Sequence, residues 1–339
     1  MPAVRFPTMS ALTSERRPSR ARLAAAFAAI YLVWGSTYLA IRYAIETIPP
    51  FLMAGSRFIV AGGALYLWSR LTGAERPSRA ACVATAVTGI FMLAVGNGAV
   101  TWSEQRIPSG LAALLVASVA LWMVLLEFLR RNGTRPTKLS IVGLLLGFGG
   151  VALLVGPAAL SDARDLDVFA CLVLIGASLS WAAGSIYSRV LPRPQSAFLG
   201  SGMQMLAGGM ALLLLGVSSG ELSRLDIGAV TTRSALSLSY LIVFGSLIGF
   251  TAYAWLLRVS TPAAVATYAY VNPIVAMFLG WLIAGEEFGT RMIVAAAIIL
   301  SGVALINRAS RQPSRAAAAP VPARGSPDLG HTGEFLASR

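Results

Sequence analysis

Ten apolar runs, each close to 20 residues long, leave this chain one solvent in which it can fold. They lie at about 23–42, 50–70, 80–102, 109–128, 139–156, 168–188, 197–217, 235–257, 262–283 and 290–307, separated by Arg, Pro, Asp and Glu. A helix of that length crosses the hydrocarbon core of a bilayer. A closed barrel is the other way to satisfy a backbone in lipid, but its strands alternate apolar and polar residues and these runs do not. The chain is 56% hydrophobic and 12% charged, against about 25% charged in soluble domains. A disordered chain is excluded by the same hydrophobicity. The expected fold class is therefore an all-α membrane protein with ten transmembrane helices. Arg16, Arg17, Arg20 and Arg22 precede an Ala-rich run that could be read as a leader. That run continues through Trp34, Tyr38 and Ile41 without a cleavage context, so it is expected to stay as the first helix. Residues 1–22 and 308–339 are basic and rich in Pro, Ser and Ala, and are expected to be disordered tails.

The formal net charge of +13 would point to nucleic acid in a soluble protein. Position changes its meaning. With the N-terminus in the cytoplasm and sides alternating, 20 of the 27 basic residues fall inside, 6 outside, and Arg57 falls within a span. Nine acidic residues, among them Glu46, Glu104, Asp167 and Glu221, fall outside. A bias of this kind orients membrane proteins. Both termini are thus expected in the cytoplasm of a bacterial inner-membrane, multi-pass protein, with no nucleic-acid partner. The basic tails would touch anionic lipid. Cys82 and Cys171 fall near opposite faces and form no CxxC site, and His331 sits in the tail. No cofactor, metal or phosphate-binding loop is expected. An embedded enzyme would need clustered Asp, Glu and His; none is seen, so no enzymatic activity is expected. No carboxylate falls near mid-span, so the chain lacks the usual proton relay; were it a carrier, it would work by facilitated exchange or by proton coupling through Glu104 or Glu127 near helix ends.

The two halves of the sequence resemble each other. Gly150-Val-Ala-Leu-Leu154 matches Gly302-Val-Ala-Leu-Ile306 at an offset of 152. Arg106-Ile-Pro-Ser-Gly-Leu-Ala-Ala113 resembles Arg258-Val-Ser-Thr-Pro-Ala-Ala-Val265, and Ala61-Gly-Gly63 recurs as Ala207-Gly-Gly209. Trp34-Gly-Ser-Thr-Tyr38 resembles Trp181-Ala-Ala-Gly-Ser-Ile-Tyr187. Five spans per half is an odd number, so the second half starts from the opposite face. Residues 23–157 and 168–307 thus form two inverted five-helix repeats, the plan of many secondary transporters.

Further motifs are Pro49-Pro50, Ala54-Gly-Ser-Arg-Phe58, Ala94-Val-Gly-Asn-Gly98, Pro108-Ser-Gly110, Ser180-Trp181, Gly184-Ser185, Ala266-Thr-Tyr-Ala-Tyr-Val-Asn-Pro273 and Gly285-Glu286. With Trp34-Gly-Ser-Thr-Tyr38 they resemble the EamA-type drug/metabolite transporters, above all the ten-helix YedA-like exporters. The resemblance covers nearly all of residues 23–307. It implies a transporter of small metabolites, amino acids or amphipathic drugs, working by alternating access in the export direction. A channel-like facilitator and a membrane-embedded enzyme are the competing readings. One departure is visible: the family's mid-helix proline in the fourth span is replaced by Ser118-Val-Ala-Leu121, and the Gly-Glu ending that span is missing.

Few polar residues fall inside the spans. Arg57 lies seven residues past Pro50, roughly 10 Å into its helix at 1.5 Å per residue. Charge at such depth is unfavourable by about 2.5–3.5 kcal/mol and faces a partner or a cavity. Its structural reading is an ion pair with Glu104 or Glu46; its functional reading is an anchor for a substrate carboxylate or phosphate. Asn272-Pro273 interrupts the ninth span, with Pro273 as the candidate hinge and Tyr268 and Tyr270 flanking it. Asn97 and Gln204 suit either a cavity or interhelical hydrogen bonds. Trp34, Tyr38, Trp181 and Tyr187 occupy related places in the first and sixth spans and are candidate cavity walls. Trp102, Trp122, Tyr253 and Trp255 lie nearer span ends, where an aromatic belt is expected. Gly143, Gly147, Gly149 and Gly150 allow close helix approach on the fifth span, within the bundle or in a homodimer through the fifth and tenth helices.

Overall fold

The computed structural model describes residues 19–106, 109–130, 135–155, 167–284 and 290–311. All regular structure in these residues is helical. In chain order the long helices are α1 Arg20–Ala44, α2 Pro50–Leu71, α3 Arg79–Ser103, α4 Ser109–Leu129 and α5 Lys138–Val155. They are followed by α6 Val168–Val190, α7 Ala197–Ser218, α8 Thr232–Val259, α9 Tyr268–Ala284 and α10 Thr290–Arg311. Each coincides with one apolar run to within a few residues, because the polar breaks between runs carry the helix caps. Ser78, Asp167, Ser196 and Thr231 each accept a hydrogen bond from the backbone three residues on, at the starts of α3, α6, α7 and α8. α2 opens on Pro50, and its first free N–H groups are capped from a distance. Glu221 accepts from Phe51 N at 3.2 Å and Leu52 N at 2.9 Å.

Six of these helices, α1, α2, α3, α6, α7 and α8, are long and apolar enough to cross a membrane. Shorter apolar helical stretches lie at Leu115–Leu129, Lys138–Gly150 and Ile293–Ile306. Large apolar side chains such as Leu67, Trp68, Leu145, Phe169 and Leu214 point outward, as lipid-facing residues do. Of the expected tails, residues 1–18 and 312–339 lie outside the described residues, as do Pro108 and the Gly285-Glu286 motif, whereas residues 20–22 already belong to α1 and 308–311 still belong to α10.

Packing pairs the helices reciprocally. α2 packs on α7 and α5 on α10; α4 packs on α6 as α1 packs on α9; α3 packs on α6 and α7 as α8 packs on α1 and α2. Glycines set the closest approaches. A Cβ at Gly62 would lie 2.8 Å from Gly202 O, and one at Gly302 would lie 2.7 Å from Gly143 O. The glycine face of α5 is thus met by α10 of the same chain, while Gly149 faces open space.

α3 and α8 share a second feature: the middle of each is wound as a π-helix, at Ile90–Asn97 and Leu241–Phe250. Short π-bulges are common near functional sites, and two stretches this long are unusual. The ninth run is interrupted at Thr267, between the short helix Pro262–Ala266 and α9. α9 then continues through Pro273, so the break sits six residues before the proline rather than at it. α4 is continuous across Ser118–Leu121, where the family's proline is absent.

Candidate substrate cavity

The six helices α1, α2, α3, α4, α6 and α8, together with α9, line an open cavity of about 690 Å³, the space at its mouth included. Seven of the nine residues singled out from the sequence line it: Trp34, Tyr38, Arg57, Asn97, Trp181, Tyr268 and Asn272. Tyr187 and Tyr270 do not. Trp34 and Tyr38 are four residues apart and share a helix face, whereas Tyr187 is six residues past Trp181, about 240° around the helix. Tyr187 is accordingly 52% exposed on the outer surface of α6. Tyr270, two residues past Tyr268, turns away from the cavity and packs against Gly147 of α5.

The floor of the cavity is aromatic. Trp34 meets Trp181 at 5.7 Å and Tyr268 at 4.9 Å edge to face, and the tilted ring of Tyr253 at 5.0 Å; Trp181 also touches Phe250. Such pairs add about 0.5–1.5 kcal/mol each beyond burial. Both tryptophans sit on glycines of π-helical segments from the other half of the chain. A Cβ at Gly249 would lie 2.5 Å from Trp34 Nε1, and one at Gly96 would lie 3.1 Å from the Trp181 ring. Trp34 Nε1 donates to Gly245 O at 3.0 Å.

Three polar groups knit the floor together. Trp181 Nε1 donates to the Tyr253 hydroxyl at 3.0 Å. That hydroxyl and Ser185 Oγ are 2.6 Å apart, and Ser185 Oγ donates to Trp181 O at 2.6 Å. Tyr253 is fully buried here and does not belong to an interfacial belt, a correction to the expectation from its place near a span end. A second pocket of about 510 Å³ lies toward the other ends of α3, α6 and α8, with α7 as its further wall, lined by Thr88, Met92, Arg189, Gln204 and Arg258 among others. Gln204 belongs to it, donating to Thr88 Oγ1 at 3.0 Å.

Arg57 is 3% exposed. Its Nε donates to Ser246 Oγ at 2.7 Å, its guanidinium lies 4.9 Å from the Phe58 ring centre, and its Nη1 is buried without a hydrogen-bond partner. Neither expected carboxylate pairs with it. Glu46 is bonded to Arg233, and both oxygens of Glu104 are buried without a partner. Glu127 is 2.7 Å from Arg130. Asn97 Oδ1 is likewise buried and unpartnered. Asn272 instead serves the backbone. With its nitrogen toward the two carbonyls it donates to Tyr268 O at 3.0 Å and Tyr31 O at 3.2 Å, tying α9 to α1. Sequence reasoning missed Ser246, Phe250 and Tyr253, which carry no signal beyond being polar or aromatic in an apolar run.

A sequence profile of the EamA-like transporter family matches the chain twice, over residues 22–156 and 168–308. The chain belongs to the EamA-like transporter family. Among its EamA relatives, the inner membrane transporter YedA of Escherichia coli K12 is 39% identical over 280 residues, 82% of this chain and 88% of YedA. PecM of Dickeya dadantii is 25% identical over 284 residues, covering 81% of this chain and 91% of PecM. The chloroplastic WAT1-related protein At3g02690 of Arabidopsis thaliana is 24% identical over 82% of this chain and 67% of its own length. A solved crystal structure matches the fold with a TM-score of 0.68 at 20% identity, covering 87% of this chain and all of that one.

Proposed function

We propose that this chain is a secondary transporter of the bacterial inner membrane, carrying small metabolites, amino acids or amphipathic drugs outward by alternating access. In this reading all ten helices span the bilayer, both termini are cytoplasmic, and residues 23–157 and 168–307 are inverted repeats. The double match of one family profile and the reciprocal helix pairing support the repeat. The name of YedA supports the compartment. One observation carries the reading: a cavity floored by a hydrogen-bonded aromatic layer, with a second pocket beyond that layer. Two pockets separated by one closed layer are what a carrier needs and an open channel lacks. Under the charge-based orientation the cavity faces outward and the layer closes the cytoplasmic side. Purified protein in liposomes tests this with a mixture of labelled metabolites. A carrier gives saturable uptake and accelerated counterflow when unlabelled substrate is trapped inside. Flux that rises linearly with concentration and shows no counterflow would identify a channel-like facilitator.

A further inference from the structure

The cavity holds a buried cation that no described residue balances. Arg57 is almost entirely buried, and among the described residues it has no ion-pair partner. A guanidinium in the apolar interior is strongly unfavourable unless paired and hydrogen-bonded. Here Ser246 accepts one bond and Nη1 has no acceptor at all. The site nevertheless looks built for the group rather than tolerant of it. Gly245 leaves the space that Nη2 occupies, since a Cβ there would lie 2.7 Å away. Phe58 supplies a ring face 4.9 Å off, and Ser246 fixes the plane through Nε, leaving Nη1 without an acceptor. Among the described residues no carboxylate lines the cavity, and no second cation does either. One planar fork with one free side matches a single carboxylate. The rest of the lining is uncharged and mostly aromatic and aliphatic, with Trp34, Trp181, Phe250 and Tyr268 at the floor and Thr37, Asn97, Ser178 and Asn272 as its other polar groups.

We infer that the cavity selects organic monoanions: a carboxylate held by Arg57, with an uncharged apolar or aromatic body resting on the tryptophan floor. This deepens the transport reading and rests on it for its direction, though not for the binding site itself. A dianion would lack a second positive partner, and a neutral analogue of the same shape would leave Arg57 uncompensated.

The test uses the full-length protein in nanodiscs and matched probe pairs: benzoate with benzamide, phenylacetate with phenylacetamide, and octanoate with octanamide. Binding is followed by the fluorescence of Trp34 and Trp181 and by calorimetry. The expected result is that the acid of at least one pair binds about tenfold or more tightly than its amide, the ratio typical of a hydrogen bond to a charged group. Arg57→Gln should bring that ratio to about one, while Arg57→Lys keeps a preference for the acid at reduced affinity. Acid and amide binding equally in all three pairs to wild-type protein would overturn the inference, and that measurement does not depend on any variant folding. An undiminished acid preference in monodisperse Arg57→Gln protein would overturn it too. The transport reading is judged separately, by counterflow of the tightest acid in liposomes. Absence of counterflow with a retained acid preference sinks the carrier and spares the site, and the reverse pattern sinks only the site.

Discussion

Tyr253→Phe should loosen the aromatic floor of the cavity without changing its shape. The hydroxyl is one member of a closed ring of three hydrogen bonds joining Trp181, Tyr253 and Ser185. Removing it deletes two of the three. Ser185 keeps its bond to Trp181 O at 2.6 Å, so it is not orphaned. Trp181 Nε1 is orphaned, inside an aromatic layer. A lost hydrogen bond is worth about 1 kcal/mol net, and a buried donor without a partner adds about 1–3 kcal/mol. The total is about 2–4 kcal/mol, and at 1.4 kcal/mol per factor of ten it multiplies the population with this layer open by about 30- to 700-fold. The readout is a single cysteine at Met92, which is 1% exposed and lines the pocket beyond the layer, in a background lacking Cys82 and Cys171. Maleimide labelling of Met92→Cys should accelerate by about that factor when Tyr253→Phe is added. A melting temperature that falls while the labelling rate stays fixed would mean that the ring holds the fold together but gates nothing, and the reasoning would be wrong.

Two further outcomes are expected. Gly62→Ala should destabilise the protein and Gly63→Ala should not, although the residues are neighbours on α2. A Cβ at position 62 would lie 2.7 Å from Met205 Cβ and 2.8 Å from Gly202 O, whereas at position 63 it meets nothing within 4 Å. Overpacking of the first kind is unfavourable by about 1–3 kcal/mol, which thermal melts of the two variants in one detergent can resolve. Glu104, one residue past the end of α3, should respond to pH. Burial pushes its carboxyl up to about 8, with Arg42 opposing the shift. The folded protein therefore holds a proton that the unfolded chain releases at lower pH. Stability contributed by this group is full below about 4.5, declines as pH rises toward 8 and is flat beyond. Glu104→Gln should remove that component of the slope, and identical pH profiles for wild type and variant would refute it.

Helix positions were legible because the membrane sets them: a run must be about 20 residues long, and the polar residues that end it also cap the helix. Trp34, Tyr38 and Arg57 were legible as rare residues in apolar runs. Their partners were not. Ser246 is 189 positions from Arg57, and only the fold shows that it, rather than Glu46 or Glu104, takes the guanidinium. Phase was the second obstacle. Extending the Trp34–Tyr38 pairing to Trp181 and Tyr187 overlooked two extra residues, enough to turn Tyr187 to the opposite side of α6. Around Phe250 and Tyr253 the π-helical winding of α8 shifts the facing residues away from the 3.6-residue period by which sequence predicts them. At Asn272 the residue was rightly singled out, but its amide is spent on the carbonyls of Tyr268 and Tyr31.

The glycine contact between α2 and α7 also bears on how the protein is made. Gly62 and Gly202 are 140 residues apart in the chain, yet each faces the other's backbone with no room for a side chain. At about 5–20 residues per second, the ribosome needs on the order of ten seconds to deliver the second after the first. Throughout that interval the face of α2 that α7 will cover has no partner. No stage of synthesis before α7 offers α2 its largest contact.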